Sequence, residues 1–309
     1  MEVYRSFDAV PFQKNTVMTL GMFDGVHLGH QAMIRRLVQE SADGRRGLVA
    51  TFDPHPVAVL GEGVDSFLLS TTDEKLTAFS ELGVEHVLLI PFDRETAGLS
   101  AESFIRDFLI EKIGLEVLIV GFNHTLGHDR SPLKKIQLLA ETYHFFVDSV
   151  QPVRVQNKIV SSTLIREALR TGQIEKARQF LGKPYCLAGK VIPGHRIGRH
   201  LGFPTANVEV SGQKVVPADG VYAVRVQVRE RRMAGLANIG FSPTIPGKSW
   251  GIEIFIDNFK EIIYNKDLII EFIGRLRDEK KFESREELIQ QMKEDQRNAQ
   301  KRYMQYKRR

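Results

Sequence analysis

Only one cysteine, Cys186, occurs in the chain. That excludes an intramolecular disulfide and a cysteine metal cluster, fits a reducing compartment, and leaves packing as the role expected of the residue itself. Long apolar runs are also missing. VLLI at Val87–Ile90 and VLIV at Val117–Val120 are four residues long, against the roughly 20 needed to cross a bilayer. The stretch MEVYRSFDAV has no basic segment followed by an apolar one, so no secretory signal is read there, and a cytoplasmic location without a membrane partner is expected. No repeat or low-complexity tract occurs. What is present is ordinary: 42% hydrophobic and 26% charged residues over 309 positions exclude wholesale disorder, and at roughly 150 residues per domain the chain holds about two domains.

Acidic residues are absent from one place, Arg297–Arg309, which carries six basic ones. Since 43 Lys and Arg face 38 Asp and Glu in the whole chain, the rest is nearly neutral. Cations complement the C-terminal dipole of a helix, so a solvated helix end is the preferred reading of this tail. An RNA- or membrane-binding arm is the rival, and no nucleic-acid partner is expected. Nothing in the sequence fixes an oligomeric state.

The first half alternates short β-rich runs with helical patterns, the signature of a parallel sheet covered by helices. Strands are expected at Val17–Leu20, Leu48–Phe52, His86–Ile90 and Val117–Gly121, with a fifth at Phe145–Val150. Apolar residues at three- and four-residue spacing predict helices near His30–Ser41, Asp73–Leu82, Ala101–Lys112 and Leu133–Thr142. The fold class is a doubly wound α/β domain. Two further helices, Thr163–Arg170 and Ile174–Leu181, lead to GKPY at Gly182–Tyr185, where the boundary is placed: residues 1–182 form one domain and 183–309 the other. Beyond it, VYAVRVQV (Val221–Val228) and GIEIFI (Gly251–Ile256) alternate as the strands of a small antiparallel β-barrel do. A C-terminal helix should follow, opened by a capping box of Ser284 and Glu287 and packing through Leu288, Met292 and Ala299.

Chemistry concentrates first in GMFDGVHLGH, Gly21–His30, directly after the first of these strands. In open α/β sheets ligands bind at that edge. Two histidines three apart share a helix face, and the helix N-terminus beside them offers free N–H groups and a positive dipole end, which suits a triphosphate. Taken alone, HLGH also reads as two ordinary histidines; a zinc site is disfavoured because no third ligand is near in sequence. The second signal is SSTLIR, Ser161–Arg166, where hydroxyl residues open a helix and an arginine sits in its first turn. A cation there opposes the dipole unless an anion is bound between them; a plain serine cap with a solvated arginine is the other reading.

With TFDPHP (Thr51–Pro56), these segments resemble the adenylyltransferase module of bacterial bifunctional FAD synthetases, a branch of the HxGH nucleotidylyltransferases. The resemblance implies transfer of AMP from ATP to FMN with no covalent intermediate. It implies further that His27 and His30 contact the ATP phosphates, that Gly21, Phe23, Asp24 and Gly25 shape the nucleotide pocket, and that Ser162, Thr163 and Arg166 belong to the phosphate site. Asp53, carried over as a flavin contact, and His55 are expected to line the same cleft, although DPHP equally reads as a Pro-rich turn. The family's G-x-D-F-x-F-G appears here as GFNHTLGHDR, Gly121–Arg130: Asn123, the expected flavin contact, replaces an aspartate, and His124 and Leu126 replace aromatics.

A separate constellation is IPGHRIGRHLGFPTANVEV, Ile192–Val210, where Gly194, Gly198 and Gly202 recur around His195, Arg196, Arg199 and His200. A glycine-rich basic loop lets backbone N–H groups approach phosphates. In an extended PTAN, Thr205 and Asn207 point to one face, where a hydroxyl and an amide oxygen are hard donors suited to magnesium bridging ATP phosphates; a turn feeding a barrel strand is the alternative. The segment resembles riboflavin kinase, the second module of the same synthetases, and the likeness continues through PADGVYAV, LANIGFSPTI and RLRDEKKF. It implies that Gly194, Gly198, Arg199 and Gly202 bind ATP, that Arg275 contacts flavin, and that Glu253 is the general base on the ribityl 5′-hydroxyl. By alternation alone Glu253 is a solvated residue facing away from Ile252, Ile254 and Ile256. Phe255 and Asn258 stand where the family commonly has histidine and aspartate. The function expected is therefore Mg2+-dependent: riboflavin and ATP give FMN, then FMN and a second ATP give FAD. The alternative is a kinase whose first module has become a silent or sensing domain.

Overall fold

Six parallel strands open the fold in the computed structural model, which describes residues 1–61, 66–194, 202–241 and 250–307. They are β1 (Glu2–Tyr4), β2 (Thr16–Leu20), β3 (Arg46–Asp53), β4 (His86–Pro91), β5 (Leu115–Gly121) and β6 (Phe146–Val150), in the spatial order β1-β4-β3-β2-β5-β6. β2 is buried along its whole length, because helices cover both faces of the sheet. Val17, Val49, Val87 and Ile119 pack with Ile34 and Leu37 of α1 (Leu28–Glu40) and Phe79 of α2 (Thr72–Glu81). Met18, Leu48, Leu88 and Leu118 face the other way, onto the π-helix Phe104–Ile113 and α3 (Leu133–Tyr143). The five strands expected from sequence are all present, and β1 adds an edge through Glu2 opposite His86. The third helix departs from expectation: one α-turn, Ala101–Ser103, widens into the π-helix, whose buried residues Ile105, Leu109 and Ile113 recur every four positions.

The chain divides into two compact units, Met1–Val64 with Leu68–Ser162, and Asp65–Phe67 with Thr163–Arg309. The helices α4 (Ser162–Arg170) and α5 (Ile174–Leu181) precede Gly182, which at φ 75° is the left-handed cap of α5. They pack with the barrel that follows: Ala218 N–H donates to the Leu169 carbonyl at 3.0 Å, and Glu175 pairs with Arg302.

That barrel is closed and antiparallel. Its strands are β7 (Tyr185–Ile192), β8 (Thr205–Val210), β9 (Gly220–Val228), β10 (Arg231–Gly240), β11 (Gly251–Ile256) and β12 (Asp267–Arg277), running β7-β8-β11-β10-β9-β12 and back to β7. Ile252, Ile254 and Ile256 are buried inside it, as alternation predicts. The opposite face is not all solvent. Phe255, Phe203 and Leu236 form an outer cluster with Ala299, Ile289 and Met292 of α6 (Arg285–Lys307). Ile289, rather than the expected Leu288, starts the packed stripe. The capping box is half made: Ser284 Oγ accepts from Glu287 N–H at 3.2 Å, but the Glu287 carboxylate turns to the Glu283 N–H at 3.3 Å. Polar anchors complete the seam, with Asp257 accepting from Gln296 at 2.7 Å and Gln300 at 2.6 Å, and Arg277 paired with the buried Asp295 at 2.8 Å. Tyr306 lies beneath the guanidinium groups of Arg178 and Arg225.

Candidate active sites

From β2 the chain winds one way through β3 and β4, then crosses over to place β5 on the other side of β2, so the crevice at the carboxyl ends of β2 and β5 is a topological switch point. A cleft of about 830 Å³ opens there, within the roughly 300–1,000 Å³ of ordinary ligand sites. Its walls come from Leu20–Phe23 and the start of α1, from Gly121–His128 after β5, from Val150–Val153 after β6, and from Phe52, Phe92 and Phe104.

His27 is the N-cap of α1 and its Nδ1 accepts from the His30 N–H at 3.3 Å. The two rings stack at 3.6 Å between centroids, and Phe23 meets His30 edge-on at 5.2 Å. Burial holds His30 well below its usual range, with the neighbouring His27 and Lys75 adding to it. The ring is therefore neutral at physiological pH, and its buried Nδ1 has no hydrogen-bond partner among the described residues. A neutral imidazole at a helix N-terminus can bond a phosphoryl oxygen, and an arriving anion favours its protonation. Lys75 carried no signal in the sequence. Its ammonium lies buried at 3.3 Å from Thr51 Oγ1, and burial lowers its pKa while Asp24 and Asp53 oppose that.

Gly21, Phe23, His27, His30 and Asn123 meet in this cleft. Asp24, Gly25 and Asp53 are not among its walls; they hold the loops around it. The buried Asp24 carboxylate accepts from the Leu69 and Ser70 N–H groups, both at 2.9 Å, and Gly25 N–H donates to Ser70 Oγ at 2.8 Å. Asp53 accepts from Thr72 Oγ1 at 2.9 Å, and His55 caps the short helix Pro56–Leu60. Ser162 Oγ donates to the Asp24 carbonyl at 3.0 Å. The loop so clasped puts Phe23, Gly25 and Val26 at φ of 48°, 81° and 40°, the last in a region that β-branched residues avoid. Arg166 lies a full turn into α4, not in its first turn, and its Nε donates to the Phe67 carbonyl at 2.7 Å; Thr163 is exposed. Phe23, Phe52, Phe92, Phe104 and Phe122 are also among the walls of the cleft.

In the barrel the register assembles a polar row. Glu253 on β11 is opposite Asn207 on β8 and opposite Asn238 on β10, while Thr205 is opposite Phe255. Directly paired residues share a face, so Thr205, Asn207, Glu253 and Asn238 stand together on the outside of the barrel. Asn238 Nδ2 donates to Glu279 at 3.4 Å. A side chain at Gly194 would put its Cβ 1.9 Å from Asn207 Nδ2, so only glycine lets that loop approach. Gly202 has φ 83°, and Gly198 and Arg199 lie outside the described residues. Arg275 stands apart from the row, with β9 and β10 between its strand and that of Glu253; it donates to the Asp219 carbonyl at 2.5 Å, pairs with Asp278 at 2.8 Å and lies 5.9 Å over the Tyr222 ring. The departures at Phe255 and Asn258 have physical roles: Phe255 packs 5.4 Å from Phe203, and Asn258 takes φ 53°, which asparagine tolerates.

Two family models match the chain, FAD synthetase over residues 10–164 and riboflavin kinase over residues 181–303. The bifunctional riboflavin kinase/FMN adenylyltransferase of Bacillus subtilis is 35% identical over 292 residues, covering 93% of this chain and 92% of that protein. The Escherichia coli K12 protein of the same name is 34% identical over 293 residues, with the same coverage of 93% and 92%. A crystal structure titled as a macrolide-efflux protein from Streptococcus pneumoniae aligns with TM-score 0.86 at 29% identity, over 97% of this chain and 98% of that one. Among the described residues no helix is long and apolar enough to cross a membrane.

Proposed function

The chain belongs to the family of bifunctional riboflavin kinase/FMN adenylyltransferases, and from that premise we propose which residues carry each of its two steps. The observation that carries the assignment is that each matched family has its own constellation, the stacked His27–His30 pair in the first and the Asn207–Glu253–Asn238 row in the second.

In the kinase step Glu253 accepts the proton of the riboflavin 5′-hydroxyl as its oxygen attacks the γ-phosphorus of ATP and ADP leaves. Thr205 and Asn207 offer a hydroxyl and an amide oxygen on one face, hard donors that fit magnesium, and these two residues would hold it beside Glu253. Magnesium would neutralise charge on the ATP phosphates. Gly194, Gly198, Arg199 and Gly202 are assigned to the phosphates and Arg275 to the flavin. In the adenylyl-transfer step an FMN phosphate oxygen attacks the α-phosphorus and diphosphate leaves. His27 and His30 hydrogen-bond the phosphates at the head of α1 and offset the charge that builds there. Gly21 and Phe23 shape the pocket, Asn123 contacts flavin, and Asp24, Gly25 and Ser162 act by fixing the loop. A reducing cytoplasm suits the half-buried Cys186.

A time course with pure protein, riboflavin, ATP and magnesium, separated by chromatography, tests the whole scheme. FMN should rise and give way to FAD. FMN accumulating without FAD would instead favour a kinase with a silent first module, the reading that the match to both family models argues against.

A further inference from the structure

One buried charge near His30 has no task in the scheme above. Lys75 is the fourth residue of α2, a helix whose start is fixed by the capping box of Thr71 and Glu74. A cation this near a helix N-terminus opposes the dipole, and a buried ammonium is costly unless it is paired, so the position is disfavoured on two counts. Lys75 is nonetheless only 4% exposed. Two polar rungs tie its helix to the end of β3. Thr72 and Lys75, three apart on α2, meet Asp53 and Thr51, two apart on the strand: Thr72 Oγ1 donates to the Asp53 carboxylate at 2.9 Å, and Lys75 Nζ to Thr51 Oγ1 at 3.3 Å. The Thr51 hydroxyl has a single proton, which goes to the Met22 carbonyl at 3.1 Å, so the ammonium is the donor of the second rung. Met22 belongs to the cleft wall between Gly21 and Phe23. Lys75 thus braces from behind the turn that leads into the histidine pair, without being one of the cleft walls itself.

Asp24 and Asp53 are the carboxylates whose charge Lys75 feels, and His30 in turn feels the charge of Lys75. Without the ammonium, two carboxylates would stand uncompensated next to the helix end that receives phosphates, and they would repel an arriving anion. We propose that Lys75 is a positioning residue for adenylyl transfer, its ammonium bracing the Met22 turn through Thr51 and offsetting Asp24 and Asp53 so that the head of α1 accepts the ATP phosphates. This rests on the assignment of ATP to that helix end.

The test is steady-state adenylylation of supplied FMN by the full-length protein and by Lys75→Met, Asp53→Asn and the double variant, with thermal melting of each. Methionine keeps the apolar stem without the charge, and asparagine can still accept from Thr72. Lys75→Met should raise the KM for ATP about tenfold and leave riboflavin phosphorylation within about twofold. Adding Asp53→Asn should bring the KM for ATP back to within about threefold of the wild-type value, because one carboxylate fewer restores the balance of charge. A purely structural role would make the two losses multiply; that outcome, or a KM for ATP unmoved by Lys75→Met, would overturn the proposal. Should Lys75→Met fail to fold, Asp53→Asn alone decides. With the same ammonium facing one carboxylate fewer, the KM for ATP should fall, and a rise or no change would overturn the proposal. If the wild-type protein phosphorylated riboflavin but made no FAD from FMN, the assignment of ATP to the cleft itself would fall.

Discussion

His27 and His30 reach each other within one turn at the head of a helix, whereas Glu253 meets Asn207 and Asn238 only because three strands pair in one register. The first site is a cleft with segments from the ends of five strands around it; the second lies on the outer face of a closed barrel. The difference bears on how each site fails. A contiguous motif survives small shifts of its surroundings, but a row assembled by register is lost when any of its strands slips by one residue, since every side chain then changes face. The first site also depends on buried neutral imidazoles, and the second is built from groups on regular strands.

The sharpest way to break this division is Glu253→Ala. Removing a general base should cut FMN formation by about 10²–10⁴-fold and leave adenylylation of supplied FMN within about twofold; equal loss of both activities would mean that the sites are not separate. His30→Ala should do the converse, lowering FAD formation by about 10²–10³-fold with riboflavin phosphorylation intact. Acid should separate the units next. His124 titrates from an ordinary 6.5 down to about 4, so between those pH values the unfolded chain takes up a proton that the folded one does not. Stability of the first unit is thus full above pH 6.5 and is lost as pH falls toward 4, by up to roughly 3 kcal/mol. Hydrogen exchange at pH 5 should show the sheet opening before the barrel, and His124→Gln should reduce the gap; a barrel that opened first would reverse the comparison. The smallest effect belongs to Arg302→Ala. This exposed partner of Glu175 should contribute less than about 1 kcal/mol in thermal melting, and a larger loss would make the basic tail a structural clamp.

What the sequence disclosed follows the same divide. The five strands β2 to β6 and HLGH were legible because they are local: apolar runs of the right length and residues three apart. Strand β1 has three residues, two of them exposed, and exists by pairing with β4, so no periodicity announces it. Asn238 went unnoticed because its place beside Glu253 is a property of the pairing and not of LANIG. Asp24 looked like a pocket residue through its position in the motif, yet its carboxylate is consumed by the Leu69 and Ser70 amides some 45 positions on. The π-helix was missed because three- and four-residue spacing describes it as readily as an α-helix over ten residues.

Closure of the barrel has a consequence for the order in which the protein comes into being. Its first strand pairs with its last, Tyr185 opposite Phe272, so nothing made before Phe272 leaves the ribosome can close the ring. The parallel sheet needs only the chain up to Val150. With synthesis running at about 5–20 residues per second, the sheet has several seconds in which to form while β7 waits with an open edge, and it is during that interval that a nascent chain of this protein is most exposed to pairing with the wrong strand.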